Sequence, residues 1–186
     1  HLLTQHDLEG KTPAFADAVA MGGWPLDDHP PSGFDQPEER PARQIQTAAP
    51  YNIPLRSLYS RNIRNLLMAG RNISASHVAF TSTRVMATCA VVGQAAGTAA
   101  AVCLRRGLTP RQLARDPELM PALQQILLRD DQTIVGARNT DPGDAARRAD
   151  AAASGEFNGA EAAHAINGYV RDLPGQFMEG KRDDVL

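Results

Sequence analysis

The chain has 186 residues, 42% of them hydrophobic and 22% charged, with a formal net charge of -2. That balance leaves no broad basic field, so nucleic acid is not an expected partner. No run of eighteen or more consecutive apolar residues marks a membrane span and no signal pattern opens the chain, so localisation stays open.

Residues 1–60 carry Pro13, Pro25, Pro30, Pro31, Pro37, Pro41, Pro50 and Pro54, which break any long helix. The expectation is a loop-rich segment with one short helix over residues 14–21 and extended pieces over 44–46 and 51–55. Asp27, Asp28 and His29 stand between Pro25 and Pro30 as an acidic and imidazole cluster. They supply too few ligands in one place for a metal, and a solvated turn closed by an Asx-type bond is the expected form. Trp24 beside them suits either a pocket for ringed ligands or the core.

Residues 65–69, Asn-Leu-Leu-Met-Ala, are short, apolar and stopped by Gly70, which predicts a fully buried strand of a parallel sheet. About twenty residues on, a helix is expected that is small on every face near its start, with Gly93, Ala95, Ala96, Gly97, Ala99, Ala100 and Ala101. It should end at Arg105, Arg106 and Gly107, where basic side chains meet the negative pole and glycine supplies the left-handed cap. Its other end, placed at residues 92–94, should present free N–H groups to an anionic or electron-rich ligand. Plain packing of Gly93 and Gly97 against a sheet is the competing reading.

Further on, Thr109 caps a short helix with Pro110 at its first position and Gln112 closing a capping box. Asp116 and Pro117 repeat the signal for a helix over residues 117–129, whose Leu119, Leu123, Ile126 and Leu127 share one face. From Asp141 the composition shifts to Ala, Arg, Asp and Gly, as in a linker. Cys89, placed before the Ala-rich helix, and Cys103, placed inside it, form no Cys-x-x-Cys pair and read as two buried thiols.

Three blocks carry a family resemblance: Met-Ala-Gly-Arg-Asn-Ile-Ser-Ala-Ser-His (68–77), Ser-Thr-Arg-Val-Met-Ala-Thr-Cys (82–89) and Val-Gly-Gln-Ala-Ala-Gly-Thr-Ala-Ala-Ala (92–101). Together they resemble the C-terminal flavin-contacting segment of bacterial FAD-dependent oxidoreductases of the FAD_oxidored type. Residues 21–31, Met-Gly-Gly-Trp-Pro-Leu-Asp-Asp-His-Pro-Pro, and 51–58, Tyr-Asn-Ile-Pro-Leu-Arg-Ser-Leu, look like the same family. The resemblance spans roughly residues 1–140.

It implies an α/β fold: the C-terminal strand and helix of a glutathione-reductase-like FAD-binding domain over residues 61–140, with a helical extension. Residues 1–60 would be the substrate-side segment and 141–186 a linker and tail. FAD is the implied cofactor, and the implied reaction is hydride transfer from a small organic substrate to flavin. Mapped onto this chain, the cofactor would be met by Gly70, Arg71, Ser74, Arg84, Gly93, Gln94, Ala95 and Gly97. Arg71 stands where a related flavoprotein fold places an acidic residue for the ribityl chain, so it suits FAD phosphates, an anionic substrate or an ion pair that orders the loop. His77 and Arg84 are the candidate catalytic residues, His77 as a base or donor beside the ring, and Arg84 opposite the charge that develops at flavin N1 and O2.

The family's nucleotide-binding G-x-G-x-x-G turn occurs nowhere in the sequence. The resemblance therefore implies an internal fragment or truncated product that requires an N-terminal dinucleotide-binding half to complete its FAD site. Some relatives, such as the heterodisulfide reductase flavoprotein subunit, hold iron–sulfur clusters, which need about four cysteine thiolates. Two cysteines cannot supply them, and no metal is expected. Residues 149–176 look like the opening strands of a discoidin-like β-sandwich, too short to close two sheets and therefore expected to be poorly ordered alone. A carbohydrate- or surface-binding module, or a non-catalytic remnant with a vestigial flavin site, is the alternative function.

Overall fold

The computed structural model of the chain describes residues 1–47, 49–156 and 161–169. In chain order its main elements are α1 (Gln5–Leu8), β1 (Ala18–Gly22), β2 (Leu26–Asp28), β3 (Arg43–Ile45) and β4 (Tyr51–Pro54), then α2 (His77–Thr83), α3 (Met86–Arg106), α4 (Pro110–Leu113) and α5 (Leu119–Arg129). The strands form two antiparallel pairs, β1 with β4 and β2 with β3.

Residues 14–21, expected as a helix, instead lead into β1. Ala18, Val19 and Ala20 are all buried, so both faces of this segment are covered, and backbone pairing with β4 satisfies its polar groups. β3 and β4 lie close to where extended pieces were expected.

The core centres on α3, which packs against β1, α4, α5 and the short turn Gly70–Asn72. Val92, Ala95, Ala99 and Val102 make a buried stripe at helical spacing. Across from it α5 buries Met120, Leu123, Leu127 and Leu128, with Leu119 and Ile126 at the margin of the same cluster. Each fully buried leucine contributes on the order of 1.5–3 kcal/mol relative to an exposed one. By length and composition α3 is apolar enough to cross a membrane, but its buried stripe docks on β1 and α5 as a core helix does.

Both ends of this helical block follow local rules. Gly107 adopts φ +66°, and the N–H of Leu108 reaches back to Cys103 O at 2.9 Å, closing α3. Thr109 Oγ1 accepts from Gln112 N at 3.3 Å while Gln112 Oε1 accepts from Thr109 N at 2.9 Å, the reciprocal cap expected for α4. Asp116 Oδ1 accepts from the N–H groups of Glu118 and Leu119, both at 2.9 Å, and α5 begins at Leu119.

The predicted buried parallel strand at residues 65–69 does not form. Asn65 and Leu66 are exposed, and the segment folds back on what precedes it: Leu67 bridges Tyr59 in antiparallel sense, and Met68 N donates to Leu58 O at 2.6 Å. A strand needs a neighbour, and here the neighbour is the returning chain, so an apolar run alone did not decide its pairing. The sole parallel pairing among the described residues is an isolated bridge between Leu3 and Ala75. Of the expected α/β fold, the structure carries the coarse character, helices mixed with small sheets.

The described parts of the tail hold two short 3-10 turns, Ala145–Arg148 and Ala162–Ile166, and no strand. Arg138 Nε donates to Asn167 O at 2.7 Å, and Asn139 N to Gly168 O at 2.8 Å, which tie residues 161–169 to the end of the helical block. The rest of the discoidin-like expectation falls on residues 157–160 and 170–186, outside the described residues.

Candidate functional site

α2 is started by Ser76, whose hydroxyl accepts from Ala79 N at 3.3 Å. On its inner face Ser82 is fully buried and donates to Trp24 O at 2.5 Å. Its single hydroxyl proton is thereby used, so Tyr51, 2.6 Å away, is the donor to Ser82 Oγ. This chain of bonds ties β4, the turn before β2 and α2 into one unit. Trp24 is 47% exposed, so it belongs to the surface of this corner and not to the core.

Burial pushes the Tyr51 hydroxyl up to about 12, partly offset by the Ser82 bond. The folded protein then keeps this proton between pH 10 and about 12 while the unfolded chain loses it. Stability from this group is complete below pH 10 and falls as pH rises, by about 1.4 kcal/mol per pH unit across that window. Urea titrations at pH 9 and 11.5 should show the loss, and Tyr51→Phe should remove that part of the slope.

The outer rim of the corner gathers the charged groups. His77 opens α2, and its Nε2 lies 3.2 Å from Asp28 Oδ1, with 78% of the His77 side chain exposed. Arg84 closes α2, and its Nη2 donates to Asp27 O at 3.2 Å and to Asp27 Oδ2 at 3.3 Å. Asp27 Oδ1 also accepts from Gln44 Nε2 at 3.0 Å, and its Oδ2 lies 3.3 Å from His29 Nε2. The Gln44 bond first, with the His29 and Arg84 charges behind it, holds the Asp27 carboxyl below the usual aspartate range. Asp27 and Asp28 are thus not a free solvated turn but an edge strand whose two carboxylates take the two ends of α2. His77 and Arg84 stand seven residues apart on that helix, roughly 10 Å along its axis, so they form two stations and not one dyad.

The expected cofactor residues separate into groups. Gly70 adopts φ +66° at the start of the turn that packs on α3, and Arg71 lies over the Phe80 ring at 5.1 Å, with no carboxylate partner among the described residues. The ion pair that competed with a ligand role for Arg71 is not found among the described residues, where a stacking contact on Phe80 orders the side chain instead. Ser74 lines a cavity of about 730 Å³ with Ser57, Tyr59, Met68 and Asn72. Its backbone is fixed on both sides, N–H to Ser57 O and carbonyl to Leu3 N, each at 2.9 Å.

One expectation for the helix is corrected, and two of its residues are placed. Ala95 is 0% exposed and sits in the core stripe. Gln94 Nε2 is spent on Asp130 O at 2.8 Å, bonding α3 to the end of α5. The positive pole is not at residues 92–94, because α3 starts at Met86 after Val85, whose apolar side chain gives no cap. The free N–H groups are those of Met86, Ala87 and Thr88, with Cys89 N the first to find a partner, Val85 O at 2.9 Å. Gly93 and Gly97 are interior to α3, yet a Cβ on either would meet nothing within 4 Å. Neither glycine is explained by packing on a sheet.

Cys89 lies inside α3, with Sγ 3.5 Å from Arg84 O, and burial pushes the Cys103 thiol up. No group of three or more His, Cys, Asp and Glu side chains among the described residues is placed to hold a metal. The sequence gives no direct sign of Asp27 and Asp28 as partners of Arg84 and His77, or of Gln44 as the partner of Asp27. Their one available signal was the need of an Arg in an uncharged stretch for a distant carboxylate.

Residues 1–127 match the family model described as FAD dependent oxidoreductase. No curated protein and no solved structure matches the chain.

Proposed function

Because the chain belongs to the FAD-dependent oxidoreductase family, with FAD as its cofactor, we propose that it forms the flavin-facing C-terminal part of an oxidoreductase acting on a small organic substrate. The observation that carries this reading is the juxtaposition of Arg84 with the uncapped N-terminus of α3. Two residues after the guanidinium, the N–H groups of Met86, Ala87 and Thr88 begin, unpaired within the helix. A cation carried two residues ahead of a helix positive pole suits an electron-rich ring edge.

The other residues fit such a group as well. The open side of Gly93 and Gly97 leaves the α3 backbone approachable, and the Gly70–Ser74 loop offers hydroxyl and amide groups to a polyol chain. When bound, FAD supplies the hydride acceptor. Arg84, anchored through Nη2 to Asp27, keeps its remaining N–H groups for the pyrimidine edge of the ring. His77, oriented by Asp28 at Nε2, has Nδ1 free to accept a proton from a substrate hydroxyl or amine. With no G-x-G-x-x-G turn in residues 1–186, the FAD diphosphate would be held by a dinucleotide-binding unit outside them, and the glutathione-reductase-like α/β sheet would be complete only there.

The test is a visible absorption spectrum after FAD reconstitution, once with these 186 residues and once with a dinucleotide-binding half joined to them. Flavin bands retained through gel filtration by the longer protein, and much more weakly by the shorter one, are expected. Bands in neither would sink the proposal.

A further inference from the structure

The loop after β4 and the start of α4 enclose a cavity of about 270 Å³ whose lining includes Arg61, Arg64 and Arg111 and no acidic residue. It opens beside the larger cavity of about 730 Å³, where Arg56 and Arg115 are added and again no Asp or Glu lines the wall. In a chain of net charge -2 this is a local concentration of uncompensated cations. Arg56 is neutralised by Asp17 at 3.3 Å, but Arg61, Arg64, Arg111 and Arg115 have no carboxylate partner among the described residues. Guanidinium groups held together without counter-charge repel one another, and a multivalent anion relieves that repulsion.

The site is preorganised as well as charged. Arg111 Nη2 donates to the Arg61 carbonyl at 2.6 Å, and its guanidinium lies over the Tyr59 ring at 6.0 Å. These contacts hold Arg111 in place while leaving its other N–H groups unspent. The loop carrying Arg61 and Arg64 is itself fixed, since Ser60 Oγ accepts from Asn62 N at 3.3 Å and from Ile63 N at 3.0 Å, and Ser60 N donates to Leu66 O at 3.0 Å. Asn62 and Thr109 add neutral donors to the wall. Several planar forks and hydroxyl or amide donors around one concavity match the oxygens of a phosphate group better than a single carboxylate. The concavity is too small for a nucleic-acid strand and sized for one small charged group.

We propose that the smaller pocket, which shares Tyr59, Ser60, Arg61 and Arg111 with the cavity lined by Ser74, binds the phosphate or diphosphate group of a small molecule through residues outside the flavin-facing motifs. None of the motif residues 68–77, 82–89 or 92–101 lines the smaller cavity, and the inference does not depend on the flavin reading. The ligand is recognised through its oxyanion, so inorganic phosphate and inorganic diphosphate are the probes.

Isothermal titration of the 186-residue chain with inorganic diphosphate should show saturable binding, with acetate as the monovalent control showing none. Affinity should weaken roughly tenfold or more in Arg61→Ala/Arg64→Ala, and it should fall as salt is raised. The variant's unliganded melting temperature should be unchanged or higher, because repulsion is removed; if the double variant does not fold, Arg64→Gln alone gives the same comparison. Adding FAD separates the two possible sources of phosphate chemistry. Diphosphate binding that is indifferent to FAD supports a second site. Competition by FAD, equal affinity in the variants, or no binding by the unmodified chain would each overturn the proposal.

Discussion

Replacing Gly22 by alanine is expected to lower stability by about 2–3 kcal/mol, the upper part of the range for overpacking a filled core. Gly22 pairs directly with Tyr51 across the β1–β4 ladder, and the phenol ring lies over the glycine. A Cβ there would fall 2.7 Å from Tyr51 Cε2 and closer still to the hydroxyl. The ring cannot swing aside without giving up its bond to Ser82, and Ser82 is what holds α2 to the turn at Trp24. In a chain of this length each kcal/mol moves the melting temperature by about 2–4 °C, so a drop of roughly 5–10 °C is expected by calorimetry. In a Tyr51→Ala background the same glycine change should cost far less. An equal cost in both backgrounds would show that the phenol is not what Gly22 makes room for.

For Arg84→Met the expected effect is on the flavin. With FAD bound, loss of a guanidinium beside the ring should make the two-electron midpoint potential more negative by about 60 mV, the equivalent of the roughly 2.7 kcal/mol typical for one lost charge-stabilising donor. The sign follows from the charge, because reduction places negative charge on the pyrimidine edge and removing the cation disfavours it. Methionine keeps most of the packing volume, and Asp27 retains Gln44 and His29, so folding should be little changed. Arg84→Lys should fall between the two, keeping the charge and losing the fork. A spectroelectrochemical titration reads all three proteins, and an unchanged potential in Arg84→Met would remove Arg84 from the flavin site.

Local rules in the sequence read true, and pairings between distant segments did not. Gly107, Thr109, Gln112 and Asp116 were legible because a cap is decided by neighbours three or four residues away. The start of α3 was not, because Val85 carries no capping side chain and the small residues further on drew attention to the wrong turn. Residues 65–69 were not legible because a strand is a property of two segments, and the second is the chain folding back through Tyr59. At the candidate site, Arg84 and His77 were visible as residue types in a motif. Their carboxylates lie 57 and 49 positions away, a separation that one sequence alone does not bridge.

The grip of β2 on both ends of α2 has a thermodynamic corollary. Asp28 holds the helix at His77 and Asp27 holds it at Arg84, and the two carboxylates are consecutive on one short strand. Strand and helix therefore form a closed loop of contacts, in which displacing one end changes the strain on the other. On the proposed reading, a proton taken up at His77 Nδ1 makes the imidazole cationic and tightens its Nε2 bond to Asp28, and the strand would then shift the balance between Arg84 bonded to Asp27 and Arg84 turned to the ring. If His77 and Arg84 take the proposed roles, proton uptake at one end of α2 and charge on the ring at the other would be linked variables, and by reciprocity reduction of the ring would be felt as a change in substrate affinity.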